Sequence, residues 1–412
     1  MKCPHIVVVL LLTLSACTRQ QAGSHTFRVV TEDGVITAVT SGGPKHTESL
    51  FNYEVALTLE EDPTRPETIL YRPGSICMDQ RGYFYVVDRG NGRIAVFDPQ
   101  GSFVRSFGRK GDGPGEFQSM YLLHFFEDVL SIHDSQNLRT TRYRTDGTLL
   151  EVVTDPKKRS RLQRLHRAPG DRFVYELYRD SEVEGTRLDD AFGWMGRRAI
   201  VTSADDDTLA ILETPWVKTS YSFSFSTGSG GSRMAYSGSP EVHYVPGRGI
   251  IISTGVTPEI EWYDLEGDLS KRLRFELNPE PVTSDEKGAI RQREQENFER
   301  NRARLPSGLA SSRRDALKFH EHKAFWDRVV VDDAGYLWLG IPEEYDDVTR
   351  AGGRLNRVIS PDGEYLGNSR WPCLSGDIFG GMFIGYVVVE DTDELLPTVF
   401  RIVPIVEGLD YP

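Results

Sequence analysis

The chain has 412 residues, 39% apolar and 10% aromatic, which is enough to bury a large core and too apolar for a disordered chain. Its 61 acidic and 48 basic residues leave a formal charge of −13. That balance argues against a nucleic-acid partner, because phosphate binding draws on clustered Lys and Arg. Residues 1–16 read as a separate object: Lys2 gives a positive start, 6–12 an apolar run, and Leu14, Ser15 and Ala16 a small-residue cleavage site before Cys17. The run is a signal-peptide core, too short to span a bilayer, and no other stretch approaches the ~18 apolar residues of a spanning helix. Residues 17–25 are polar and small and suit a flexible tether.

From residue 26 the pattern is that of short strands and tight turns. Residues 26–30 and 35–40 form a pair about the turn 31–34, and 53–59 is a further strand. The segment 74–117 then gives four β-rich runs cut by Asp79–Gly82, Asp88–Gly92 and Asp98–Gly101. Each gap is too short for a crossover helix, so neighbouring strands are antiparallel. The meander repeats at 122–153, at 162–212 around a charged loop 179–197, and at 241–277 after a Ser- and Gly-rich connection at 220–232. At about 283–324 the period changes. Thr283 and Glu286 form a capping box, and Ile290, Phe298 and Leu305 form a thin apolar stripe, so this insertion is expected to be helical, either a lid over one mouth or a surface ornament. The blade pattern returns at 328–366 and again at 378–405, where it ends one strand short. One strand of the N-terminal pair is assigned to complete that sheet. The expected fold is all-β: a six-bladed β-propeller of four-stranded antiparallel blades, closed by an N-terminal strand, with one helical insertion.

Three resemblances sharpen this. The run from Met78 and Asp79 through Asp88, Asn91 and Arg93 to Gly113-Pro114-Gly115-Glu116-Phe117 resembles the NHL repeat of β-propellers. Leu14-Ser15-Ala16-Cys17 resembles the bacterial lipobox, which implies acylation of Cys17 and a membrane partner reached through that lipid. Thr18 follows the cysteine where Asp would mark inner-membrane retention, so an outer-membrane location is implied if the host has one. The order of signals over 26–412 resembles that of bacterial six-bladed β-propeller lipoproteins, a group with no single agreed activity.

Function must come from a site. Aligned by their turns, the innermost strands of the second, third and fourth blades carry His124, His166 and His243. Imidazoles converging on a channel are a common divalent-metal site, and propeller amidating lyases, which resemble NHL proteins, hold zinc through histidine there; channel or core histidines without a metal are the alternative. Lactonase-type propellers would need acidic and Asn ligands, for which Asp79, Asp88, Asn91, Asp134 and Asp332 are nominees that also serve as turn residues. The glycine-rich 108–115 lacks P-loop spacing and reads as an inter-blade connection. Tyr221, Phe223 and Phe225 alternate with Ser and predict one apolar strand face, packed on a neighbouring blade or offered to a ligand. His320 and His322, at i and i+2, would point apart on a helix. Cys77 and Cys373 lie in the first blade and near the last, so export would permit a disulfide, set against two buried thiols. No GxSxG or HExxH motif occurs. The reading is a lipid-anchored envelope module that binds a protein or small-molecule ligand without a cofactor. A metal-dependent lyase or hydrolase using the channel is the alternative.

Overall fold

The structure, a computed structural model, describes residues 24–59, 61–126, 128–154, 162–179, 192–226, 228–301, 309–343, 353–373, 376–388 and 395–412. Its strands form a six-bladed β-propeller. The first blade is Pro73–Met78, Phe84–Asp88, Arg93–Phe97 and Phe103–Phe107, and the second is Met120–Phe126, Val129–Asp134, Arg139–Arg144 and Leu149–Val153. The third is Leu162–Ala168, Arg172–Tyr178, Arg197–Thr202 and Thr208–Glu213; the fourth is Glu241–Val245, Gly249–Ser253, Glu259–Tyr263 and Leu269–Glu276. Val329–Val331, Leu337–Gly340, Leu355–Ile359 and Tyr365–Arg370 make the fifth. The sixth joins Gly376–Phe379, Met382–Val388 and Leu395–Pro404 to the N-terminal strand Phe51–Thr58.

Side-chain alternation explains why neither face of a blade is wasted. Phe84 and Val86 pack towards Ile384 and Val399 of the sixth blade, while Tyr85 and Val87 pack towards Leu130 and Ile132 of the second. All five residues of Phe84–Asp88 are buried as a result. Between the fifth and sixth blades the core is aromatic, with Trp338, Trp371, Phe383 and the C-terminal Tyr411 in one cluster. The turns are held by repeated carboxylate devices. Asp79 accepts the Tyr83 amide at 2.9 Å and the Tyr85 hydroxyl at 3.1 Å; Asp332 accepts the Tyr336 amide at 2.8 Å and Trp338 Nε1 at 3.0 Å. Asp88 and Asp134 each take the side-chain amide of the asparagine three residues on, at 2.7 and 3.0 Å, and tie their strand ends to the preceding connection. These four carboxylates, nominated above as lactonase-type ligands, are occupied as turn supports.

Closure differs in one respect from the expectation. The strand that completes the sixth blade is the third N-terminal strand, and the first pair goes elsewhere: Val35–Ser41 adds in parallel to Leu269–Glu276, with Thr26–Glu32 outside it, giving the fourth blade six strands. Parallel addition to an outer edge needs no connecting turn, so no local signal marks it.

The 220–232 segment is likewise a hairpin rather than a loop. Val217–Phe225 and Gly228–Arg233, with Phe192–Met195, form a separate three-stranded sheet. Tyr221 and Phe223 are buried there against Leu309, Ala316 and Leu317 of the helical insertion, not against a blade. The insertion comprises α1 (Ser284–Asn301) and α2 (Leu309–Asp315). The capping box is present: Thr283 Oγ1 accepts the Glu286 amide at 3.2 Å, and Glu286 accepts the Thr283 amide at 2.9 Å. Ile290 anchors α1 against Tyr236 and Val282. Sheet and helices make one satellite.

Strand direction assigns that satellite to a face. In each antiparallel blade the first-to-second and third-to-fourth turns lie at one end; the second-to-third loops and the crossings to the next blade lie at the other. We call these the turn face and the crossover face. The separate sheet arises from a second-to-third connection and a crossing, and the helices from the next crossing, so the satellite belongs to the crossover face.

Candidate functional site

The charged residues of the channel gather at that same face. Glu241 opens the inner strand of the fourth blade, with His243 two positions on and therefore on the same side. Arg164 and His166 repeat this spacing in the third blade, and Arg164 lies directly across from Glu176 in the strand ladder. Glu176, 1% exposed, takes His166 Nε2 at 2.9 Å and the Tyr244 amide at 2.8 Å, with Arg164 Nη1 at 3.5 Å and His243 Nδ1 at 3.7 Å. His243 Nε2 reaches Glu241 at 3.0 Å.

Two opposed effects act on each group. Burial would push Glu176 up, but His166, Arg164 and His243 outweigh it and hold the carboxyl well below the ordinary range. Glu241 is lowered for the same kind of reason, burial being overcome by His243, Arg197 and Arg164. Burial alone would lower His243, yet Glu176 and Glu241 raise it above an ordinary histidine. The 2.7 Å contact from Arg164 Nη1 to His243 Nδ1 fits only a ring whose Nδ1 accepts. Protonating His243 must therefore break that contact and turn the new proton to Glu176.

The wall continues into the next blades. Asp327 pairs with Arg354, and Arg197 lies 4.2 Å from the centre of the Tyr178 ring with Glu241 at 4.0 Å. Arg328, just ahead of the fifth blade's inner strand, sits with its guanidinium 5.5 Å over Trp371. Its field couples it to Arg354, Glu241, Asp377 and Arg164, on the fifth, fourth, sixth and third blades. Burial and the neighbouring arginines push its pKa down. Asp377, on the sixth blade's inner strand, is exposed, and the protein around it pushes its carboxyl up. Beside the mouth, a cavity of about 280 Å³ is lined by Tyr236, Glu280, Glu286, Lys323, Phe325 and Arg357. Lys323 bridges Glu286 at 2.6 Å and Glu280 at 3.7 Å there.

The structure thus brings His166 and His243 together at Glu176. Among the described residues no group of three His, Cys, Asp or Glu is placed to hold a metal ion. His166 Nε2 and His243 Nε2 meet the carboxylates of Glu176 and Glu241, and His243 Nδ1 meets Arg164. His124 lies on the second blade's inner strand, opposite Ser131, and its side chain is outside the described residues, as are residues 1–23 with Cys17. Cys77 and Cys373 are buried thiols in different inter-blade cores, not a disulfide. In the glycine-rich connection Glu116 accepts the Gly113 amide at 2.9 Å and pairs with Arg109 at 2.6 Å, so the loop is filled by the protein's own carboxylate. His320 and His322 follow α2 in irregular chain rather than on a helix. Sequence reading missed Arg164, Glu176, Glu241, Arg328 and Asp377. The i, i+2 pairs Arg164/His166 and Glu241/His243, polar residues on strands that line an axis, were the available signal.

Residues 31–151 match a family model described as 6-bladed beta-propeller. Among solved structures, a candidate exported protein of Bacteroides fragilis is 13% identical with a TM-score of 0.51, covering 88% of this chain and 99% of its own. A member of the DUF4221 family from Bacteroides vulgatus is 10% identical, with a TM-score of 0.47 and coverage of 86% and 99%. A gluconolactonase of Xanthomonas campestris is 12% identical, with a TM-score of 0.39 and coverage of 88% and 96%. The likeness to the Bacteroides fragilis protein is one of fold alone. No curated protein matches the sequence.

Proposed function

We propose that this chain is an exported propeller, anchored to the cell envelope by lipid on Cys17, that binds a ligand or partner at the mouth on its crossover face. The observation that carries the reading is the charged cluster of Arg164, His166, Glu176, Glu241 and His243, which joins the third and fourth blades towards the crossover face. A rigid ring that holds charged groups of two inner strands at one place is preorganised for recognition. His166 and His243 support it as struts: their contacts with Glu176 and Glu241 hold the wall in place. The lipobox supports the anchor, and Cys17→Ser should release the protein from membranes on sedimentation. Full-length protein prepared without chelator should carry no stoichiometric metal. Stoichiometric metal lost in His166→Ala, with metal-dependent turnover of an ester or lactone, would replace this reading with the channel lyase or hydrolase.

A further inference from the structure

The cavity beside the mouth is walled by Tyr236 and Glu286 of the satellite, by Glu280 and Lys323 on the segments that enter and leave the helices, and by Ile341 and Arg357 at the fifth blade. Backbone bonds pin these walls: the Lys323 amide donates to the Glu280 carbonyl at 2.8 Å and the Ala324 amide to the Tyr236 carbonyl at 3.0 Å. Glu286 adds a further tie, its Oε2 closing the capping box while its Oε1 takes Lys323 at 2.6 Å. Most of the charge in the cavity is matched. Lys323 has Glu286, and Glu343 has Arg370 at 2.5 Å. Glu280 stands at the rim, its side chain 69% exposed, and lies 3.7 Å from Lys323. Arg357 is the exception. Its Nη1 donates to the Phe325 carbonyl, and Tyr365 lies beside it with its hydroxyl turned to Asn368 at 2.7 Å. Among the described residues Arg357 has no carboxylate in ion-pair contact. A half-buried guanidinium with neutral neighbours keeps an unmatched charge, which an anion entering the cavity would match. Phe325 and Ile341, also in the lining, are only partly covered by the protein, so apolar surface shares the cavity with that charge.

We infer that this cavity binds a small monocarboxylate with an apolar body, its carboxylate on Arg357 and its body against Phe325 and Ile341. The Phe325 carbonyl holds one arm of the guanidinium in place, and the planar fork suits the two oxygens of a carboxylate. A dianion such as phosphate would meet three carboxylates, Glu280, Glu286 and Glu343, around that one unmatched cation. The volume of about 280 Å³ lies at the lower end of small-molecule sites, so the ligand is small. The site uses none of the channel residues and therefore extends the reading above without depending on it.

The test is calorimetric titration of the full-length protein in detergent with phenylacetate, 2-phenylethanol, acetate and inorganic phosphate. Phenylacetate should bind. The alcohol keeps the body without the charge and acetate the charge without the body, and these and phosphate should each bind about tenfold more weakly or worse. Arg357→Gln should lose about tenfold of phenylacetate affinity or more, with Arg357→Lys between it and wild type. Ile341, whose amide donates to the Leu355 carbonyl at 2.9 Å, lies alongside the Arg357 strand, so Ile341→Glu offers that arginine a carboxylate and should weaken binding to a similar extent. No phenylacetate binding to wild type, comparable binding of the alcohol, acetate or phosphate, or unchanged affinity in Arg357→Gln or Ile341→Glu would overturn the inference. The wild-type comparison decides the matter even where a variant fails to fold.

Discussion

On the turn face Asp332 is 3% exposed and accepts three donors, from Tyr336, Trp338 and Tyr411. On the crossover face Asp377 is open to water and accepts one backbone amide among the described residues. Burial pushes the Asp332 carboxyl up, and hydrogen bonds from Trp338, Tyr411 and Tyr336 act against it. The turn-face carboxylate is spent on holding strands together, whereas the crossover-face carboxylate stands exposed at the start of its strand. The difference separates groups that fold the ring from groups that the ring displays, and substitutions should follow it.

The largest effect is expected at Glu176, which belongs to the folding set although it sits near the mouth. Glu176→Gln should cost about 3 kcal/mol by urea denaturation, because it leaves His166 and Arg164 beside an uncharged amide in a buried place. Its pH signature is specific. Glu176 ionises more readily folded than unfolded, so its contribution is full above the ordinary carboxylate range and is lost as pH falls through its lowered value. His243 is raised, so its contribution is full below about 6.5 and is lost as pH rises through its higher value. The cluster should therefore stabilise most between about pH 4.5 and 6.5. Glu176→Gln should flatten the acid limb and His243→Gln the neutral one; unchanged limbs would sever these residues from stability.

Asp332→Asn should cost about 2 kcal/mol, since the amide keeps one acceptor where the carboxylate served three donors. The smallest effect is at the capping box, where Thr283→Ala should cost about 1 kcal/mol or less and act on α1 alone, measured as faster amide exchange in its first turn.

The blades were readable because each carries its own punctuation: Asp79–Gly82, Asp98–Gly101 and their counterparts stop a strand and reverse it within a few residues. The capping box at Thr283 was readable for the same local reason. Edge pairing has no such mark. Val35–Ser41 joins the fourth blade from more than two hundred residues away, and nothing within it distinguishes that partner from the sixth blade. The Gly228–Arg233 strand escaped because serine and glycine favour a loop in isolation; pairing with Val217–Phe225, whose other face α2 covers, overrides that preference. The histidines drew notice by residue type, and two of them do lie at the mouth. Arg164 and Glu241 look in the sequence like any surface charge. Only closure of the ring sets both beside His243.

The central claim is that recognition uses the crossover-face mouth, and photo-crosslinking from the two faces tests it most directly. A photoreactive side chain at Val256, exposed on a second-to-third loop of the crossover face, is compared in cells with one at Gln100 in a turn of the opposite face. Adducts, whether protein or small molecule, should form from Val256 and not from Gln100. Equal yields from both positions, or adducts from Gln100 alone, would contradict the account.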